Sequence, residues 1–184
     1  YNNDITVNVA SNLLEKLNIT VLYETLCPAS IDFIENQLGP VTEKFGNNLN
    51  IHLVPYGHAR TYSSQGIYTF KCQHGPRECL GNKLHACAIY VLENSTMSTI
   101  YNACLMKAHS DYEISSAGTR GIQDCLFGPQ ASELLKTHGD ETNKIRPRFV
   151  PYILVNGSND LQRQARTNIT EVVCTKLNWP AQIC

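Results

Sequence analysis

The chain has 184 residues, a formal net charge of −1, eight cysteines and 42% apolar residues. That length holds one domain with a real core, or one domain carrying a large insertion. The near-neutral charge, without any basic block, argues against a nucleic-acid partner, and no apolar run approaches the roughly 20 residues that a membrane span needs.

No signal peptide is visible, and Tyr1 reads as the start of a mature or trimmed chain. Residues 1–17 form a short extension. Residues 18–26 are apolar and β-rich, the first expected strand. Residues 28–45 read as a helix, with Pro28 at the first helical position, where its missing N–H costs nothing. Gly39-Pro40 is placed to kink or break that helix. A second strand follows over Asn50 to Pro55, so the opening is a β-α-β unit, which implies parallel strands and a right-handed crossover. Residues 57–140 differ: they hold five cysteines and helical patterns over Leu84 to Glu93, Met97 to His109 and Ala131 to His138. This stretch reads as a mainly helical insertion stapled by disulfides. Sheet patterning resumes over Arg148 to Gly157, with Asn156-Gly157 as a hairpin-turn signal, and a last helix covers about Asn168 to Leu177. The expected organisation is a main domain, 1–56 plus 141–184, interrupted by the insertion, 57–140. Its element order predicts an α/β, thioredoxin-like fold with an inserted disulfide-stapled helical subdomain.

The junction between first strand and first helix carries Cys27-Pro28-Ala29-Ser30. A helix N-terminus offers unpaired N–H groups and a positive dipole end, both of which favour a thiolate. Thiol oxidoreductases place two cysteines there, as C-x-x-C; this chain has C-x-x-S. Disulfide exchange needs a thiolate, access to it, and a way to release the mixed disulfide. The Ser30 hydroxyl, one turn on, is placed to hydrogen-bond the Cys27 thiolate. It cannot attack a mixed disulfide, because an alcohol is far less acidic than a thiol. Release then falls to an outside thiol, such as glutathione or a substrate cysteine. The chemistry expected of Cys27 is monothiol exchange or slow isomerisation; the bland reading makes it structural, paired or inert. Val150-Pro151 sits where such folds place a cis-proline facing the redox cysteine. That assignment rests on its place in the pattern, since only about 5–6% of X-Pro bonds are cis; taken alone, Pro151 reads as a strand-starting trans-proline.

Eight cysteines beside four N-x-S/T sequons, at Asn18, Asn94, Asn156 and Asn168, favour a glycoprotein of the secretory pathway. Asn168 also reads as a helix N-cap with Glu171 as its capping-box partner. The disulfide candidates are Cys72, Cys79, Cys87, Cys104, Cys125, Cys174 and Cys184. Seven cannot all pair: one is free, one joins another chain, or one pairs with Cys27. An unpaired cysteine leaves open a dimer, disulfide-linked or non-covalent. Cys72, Cys79 and Cys87, with His74 or His85, lack the short C-x₂₋₄-C spacing of a zinc finger, so no metal and no cofactor is expected. Gln73-His74-Gly75 reads as a turn whose side chains hydrogen-bond inside the insertion, and His58 and Arg60 as surface or loop residues. The local signatures of the cysteine-protease families are missing.

The segment from Cys72 to Cys87 fits C-Q-H-G-x-x-E-C-x-x-N-x-x-x-x-C, eight fixed identities in 16 residues. It resembles the signature of the gamma-interferon-inducible lysosomal thiol reductase (GILT) family. Further resemblance lies in Leu22-Tyr23-Glu24-Thr25-Leu26-Cys27, Leu53-Val54-Pro55-Tyr56-Gly57, Phe70-Lys71-Cys72, and Val150 to Gly157, and spans about residues 18–184. The resemblance implies a soluble, glycosylated enzyme of the secretory or endolysosomal route that reduces disulfides in protein substrates, commonly at acidic pH. Cys27 matches the attacking cysteine, while Ser30 stands where relatives have the resolving one. Relatives also carry an extra cysteine between the equivalents of Cys104 and Cys125; its absence here implies an orphan thiol. Two functions follow. In one, the protein keeps the fold, lacks efficient reductase activity, and binds a protein or cell-surface ligand. In the other, it is a thiol oxidoreductase acting on protein substrates, with Cys27 as nucleophile, Ser30 as thiolate partner and Pro151 shaping the groove. Ser30 and the missing cysteine favour the first; the otherwise intact turn and Val150-Pro151 favour the second.

Overall fold

The central strand, β1 (Leu17–Tyr23), alternates buried and exposed residues at first and then buries Val21, Leu22 and Tyr23 in succession. A strand covered on both faces requires such an apolar run. β1 pairs in parallel with β2 (Leu49–Pro55), from Leu17 opposite Leu49 to Tyr23 opposite Pro55. On its other side it pairs antiparallel with β5 (Tyr152–Val155), giving a three-stranded sheet in the order β2-β1-β5. A computed structural model describes residues 16–108, 120–180 and 182–184 of the chain; the N-terminal extension lies outside them.

After β1 the chain turns into α1 (Pro28–Phe33), passes through a π-helical turn, Ile34–Leu38, and continues as α2 (Gly39–Phe45). The helix expected to kink or break at Gly39-Pro40 stays helical, because the wider turn just before Pro40 absorbs the proline's missing N–H and ring. The insertion opens on a small antiparallel hairpin that the sequence patterning did not predict, β3 (Arg60–Ser64) and β4 (Ile67–Lys71). Its turn is Gln65-Gly66, both at positive φ; β3 is polar, and β4 carries Ile67, Tyr68 and Phe70 on a short, largely exposed strand, so no buried apolar face marks the pair. Four helices follow, α3 (Pro76–Leu92), α4 (Ser95–Lys107), α5 (Arg120–Phe127) and α6 (Gln130–Ile145). The boundary expected at residue 141 falls inside α6. There Glu141 reaches His52 on β2, 2.8 Å away, so α6 belongs to both parts.

Asn156 and Gly157 make the expected turn, both at positive φ. The returning arm makes one bridge, Val155 with Ser158, where a second strand was expected. The reason is Gln162, at the start of α7 (Gln162–Thr167), a helix the sequence patterning also missed. Its side-chain oxygen accepts the Ile153 N–H at 2.6 Å, and its amide nitrogen donates to the Pro151 carbonyl at 3.4 Å. One amide side chain thus pairs the edge that a strand would otherwise fill. The last helix, α8 (Ile169–Lys176), is capped by Asn168, whose side chain accepts the Glu171 N–H at 3.1 Å.

The main core gathers Ile19, Val21, Phe33, Ile34, Leu38, Leu53, Ile153 and Val173 around the sheet. A second core, with Leu84, Leu105, Ile122 and Leu126, lies among α3, α4 and α5. Disulfides join Cys72 to Cys79, Cys87 to Cys125, and Cys174 to Cys184. Cys27 and Cys104 are free, Cys104 being exposed on α4. Cys104 is therefore the one disulfide candidate that the fold leaves unpaired, because nothing across from it on the described surface offers a sulfur. Asn18, Asn94, Asn156 and Asn168 are all exposed. No helix among the described residues is long and apolar enough to cross a membrane.

Thiol labelling of the denatured, unreduced monomer should count two cysteines, Cys27 and Cys104; a count of zero or one in the monomer overturns this pairing. The Cys87–Cys125 bond closes a sequence separation of 38 residues, so Cys87→Ser with Cys125→Ser should cost about 4 kcal/mol in urea denaturation by the chain-entropy relation.

Candidate active site

Cys27 is the N-cap residue of α1, with extended backbone angles, and its carbonyl accepts the Ile31 N–H at 3.0 Å. Proline follows at once, which both starts the helix and removes one amide from beside the sulfur. Cys27 is half-buried, and its Sγ lies 4.0 Å from the carbonyl oxygen of Val150. The Val150–Pro151 peptide is cis, as its place in the pattern implied. The fold thus brings Cys27 and the Val150-Pro151 segment together across 123 positions of sequence.

Ser30 is fully buried. The hydrogen bond it makes is with the backbone of the turn: its Oγ accepts the Glu24 N–H at 3.4 Å. The Ser30 oxygen thus accepts from the residue that follows β1, a bond that leaves its O–H proton available as a donor.

Beneath the turn lies a layer of residues from α3 and the loop before it. Asn82 Oδ1 accepts both the Thr25 N–H, at 3.0 Å, and the Thr25 hydroxyl, at 2.9 Å; the same hydroxyl lies 3.2 Å from the Glu78 carbonyl. Contact is so close that a Cβ on Gly81 would sit 2.5 Å from Thr25 Oγ1, so only glycine fits there. Glu24 is also fully buried. Its Oε1 accepts the His58 N–H at 2.6 Å, and its Oε2 stands 3.5 Å from His74 Nδ1. Gly57, at φ +60°, leaves room for this carboxylate: a Cβ there would fall 2.2 Å from Glu24 Cγ. Glu78, equally buried, accepts the His74 N–H on Oε1 at 3.0 Å and faces His74 Nδ1 with Oε2 at 2.6 Å. Burial raises the Glu24 pKa to about 7; the neighbouring Glu78 adds to this, while the His58 N–H and His74 oppose it. Further in, His85 Nδ1 lies 2.8 Å from the Tyr23 hydroxyl, and burial lowers its pKa to about 3, so it stays neutral.

Sequence reasoning named Cys27, Ser30 and Pro151, and placed His74 in a turn bonded within the insertion. It missed Glu24 and the use made of Glu78. The available signal was a carboxylate ending an otherwise apolar strand, beside a signature glutamate spaced four residues from a histidine. The described residues able to hold a metal are Glu24, His74 and Glu78, whose donor atoms all lie within 4.8 Å of one another. Cys72, Cys79 and Cys87 are all committed to disulfides. The backbone N–H of His58 serves Glu24 while its side chain is exposed, and Arg60 is exposed on β3.

Residues 18–127 match the family model described as Gamma interferon inducible lysosomal thiol reductase (GILT). The chain belongs to the GILT family. It is 36% identical to a gamma-interferon-inducible lysosomal thiol reductase-like protein of Anopheles gambiae, over 89% of this chain and 78% of that one. It is 31% identical to the gamma-interferon-inducible lysosomal thiol reductase of Carassius auratus, over 86% and 68%. Among solved structures, the oxidoreductase DsbA from Xylella fastidiosa aligns with a TM-score of 0.52 at 14% identity, covering 88% of this chain and 86% of that one. This likeness shows a thioredoxin-like fold. In this GILT-family chain the signature residues Asn82, Glu78 and His74, with Gly81 between them, are those that meet Glu24 and Thr25.

Glu24 keeps its proton up to about pH 7 in the folded chain, against the ordinary value of 4.5. Between those values the folded state holds more protons than the unfolded, so this contribution to stability is lost as pH rises through the window. Glu24→Gln removes the titrating group. In metal-free buffer, wild type should lose on the order of 3 kcal/mol more than Glu24→Gln between about pH 4.5 and about pH 7.5. Parallel urea-denaturation curves for the two proteins across that range would contradict the assignment.

Proposed function

We propose that this GILT-family protein lacks efficient disulfide reductase activity and acts by binding a protein or cell-surface partner, in a secreted or endolysosomal setting. The observation that carries the reading is Ser30: the position that must hold a resolving thiol holds a buried hydroxyl bonded to the Glu24 backbone. A mixed disulfide formed at Cys27 has no second sulfur one helical turn away to displace it. Bound substrate would be retained as a covalent adduct, which suits capture better than turnover. The names of the relatives support the compartment, and three disulfides fit an oxidising one. The exposed thiol of Cys104 supplies a route to a disulfide-linked dimer.

A second reading, thiol exchange through Cys27 with release by an outside thiol, is favoured by one observation. Cys27 remains partly exposed and faces the Val150 carbonyl beside the cis-proline, so the substrate-facing half of a thioredoxin-like site is intact. In that mechanism the Cys27 thiolate attacks one sulfur of a substrate disulfide and expels the other as a thiolate. The external thiolate then attacks the substrate sulfur of the mixed disulfide, releasing Cys27 as a thiolate and leaving a substrate–external disulfide that a second external thiol reduces.

Insulin disulfide reduction at about pH 4.5 and about pH 7 separates the readings. Wild type should be silent or nearly so, and Ser30→Cys should raise turnover on the order of tenfold or more, because sulfur then occupies the resolving position. Efficient wild-type turnover that disappears in Cys27→Ala would refute the binding reading and establish the exchange mechanism.

A further inference from the structure

Glu24 and Glu78 are arranged alike around His74. Each carboxylate fixes one oxygen on a backbone N–H, Glu24 on that of His58 at 2.6 Å and Glu78 on that of His74 at 3.0 Å. Each turns its second oxygen towards His74 Nδ1, at 3.5 Å for Glu24 and 2.6 Å for Glu78. Both carboxylates are fully buried, while the His74 side chain is 33% exposed, so the cluster opens to solvent past one edge of the imidazole. Backbone amides that orient acidic side chains in this way are the usual outer support of a metal site.

A second observation concerns Glu24 alone. Its Oε2 is buried and has no hydrogen-bond partner. His74 Nδ1 carries at most one proton, and at 2.6 Å that proton is committed to Glu78; at 3.5 Å the contact with Glu24 lies beyond normal hydrogen-bond reach. Leaving a buried carboxylate oxygen unmatched is costly. The surroundings nonetheless reserve space for this side chain, since Gly57 approaches too closely for any Cβ.

We propose that Glu24 Oε2, Glu78 Oε2 and His74 Nδ1 form a binding site for a divalent cation of the zinc class. Two carboxylates balance the dication once Glu24 has released its proton to solvent, and the neutral imidazole binds through the Nδ1 lone pair of its Nε2–H tautomer. One nitrogen and two oxygens suit zinc at about 2.0–2.2 Å. Two ligands around a tetrahedral ion at that distance stand roughly 3.4 Å apart, close to the 3.5 Å between His74 Nδ1 and Glu24 Oε2. The shorter approach to Glu78 opens once the bridging proton is gone. The fourth position faces solvent past His74. Because Glu24 directly follows the central strand and the other two ligands come from the insertion, the ion would join both parts just ahead of Cys27.

The test uses the full chain carrying Cys27→Ala and Cys104→Ala, so that no free thiol binds metal. Zinc chloride titrated calorimetrically in metal-free buffer should give one ion per chain and raise the Tm. Glu24→Gln, Glu78→Gln and His74→Ala should each weaken binding by at least about tenfold. His74→Ala alters the exposed edge and keeps the test decisive if a buried-carboxylate variant fails to fold. Cobalt(II) provides an independent readout: visible d–d bands of a tetrahedral nitrogen and oxygen site, without thiolate charge transfer. Absence of stoichiometric zinc binding, or binding unchanged in the folded variants, would overturn the proposal and leave the three residues a hydrogen-bonded triad.

Discussion

The structure depends on the contact between the start of α3 and the two residues, Glu24 and Thr25, that follow the central strand. Thr25 is held by Asn82 and by the Glu78 carbonyl, Glu24 by the His58 N–H, and Gly81 and Gly57 let backbone and side chains come this close. A strand that leaves a sheet into a helix must turn sharply, and its last backbone groups lose their ladder partners. Here they regain partners from the insertion. The position of Cys27 relative to Val150-Pro151 follows from that anchoring, because the turn carrying the sulfur is held from below by the signature residues.

The covalent framework serves the same end. The Cys72–Cys79 bond closes the loop that carries His74 and leads into α3, and the Cys87–Cys125 bond ties the far half of α3 to α5. A second small core forms there. Cys174–Cys184 does similar work at the chain end. These six sulfurs are structural. The remaining two differ in setting: Cys27 sits in the half-buried turn facing the cis-proline segment, and Cys104 on an open helix surface.

Much of the fold was legible in the sequence. Apolar runs with β-branched residues marked β1, β2 and β5, and Cys27-Pro28 marked the helix start, because these signals are local and strong. What escaped was made by non-local partners. The β3–β4 hairpin pairs a polar strand with a five-residue one, Ile67 to Lys71, and is largely exposed, so no buried face gave a period to read. The missing arm after Asn156-Gly157 was replaced by the Gln162 amide, a choice no turn propensity encodes. The helix persisted through Gly39-Pro40 because a π turn absorbed the proline. At the site, Cys27, Ser30 and Pro151 were identifiable by type and spacing. Glu24 was not, since a single carboxylate at a strand end has no meaning until Glu78 and His74 are seen around it.

The sequence by itself determined the family, the thioredoxin-like order of elements, and the presence of one sulfur where C-x-x-C has two. Residue identity and spacing carry that information without any knowledge of contacts. Only the tertiary structure decided which cysteine is left over, that the Ser30 oxygen accepts the Glu24 N–H, and that two buried carboxylates from different parts of the chain converge on one histidine. Each of these depends on which distant residue occupies the neighbouring space, and packing rather than sequence order settles that.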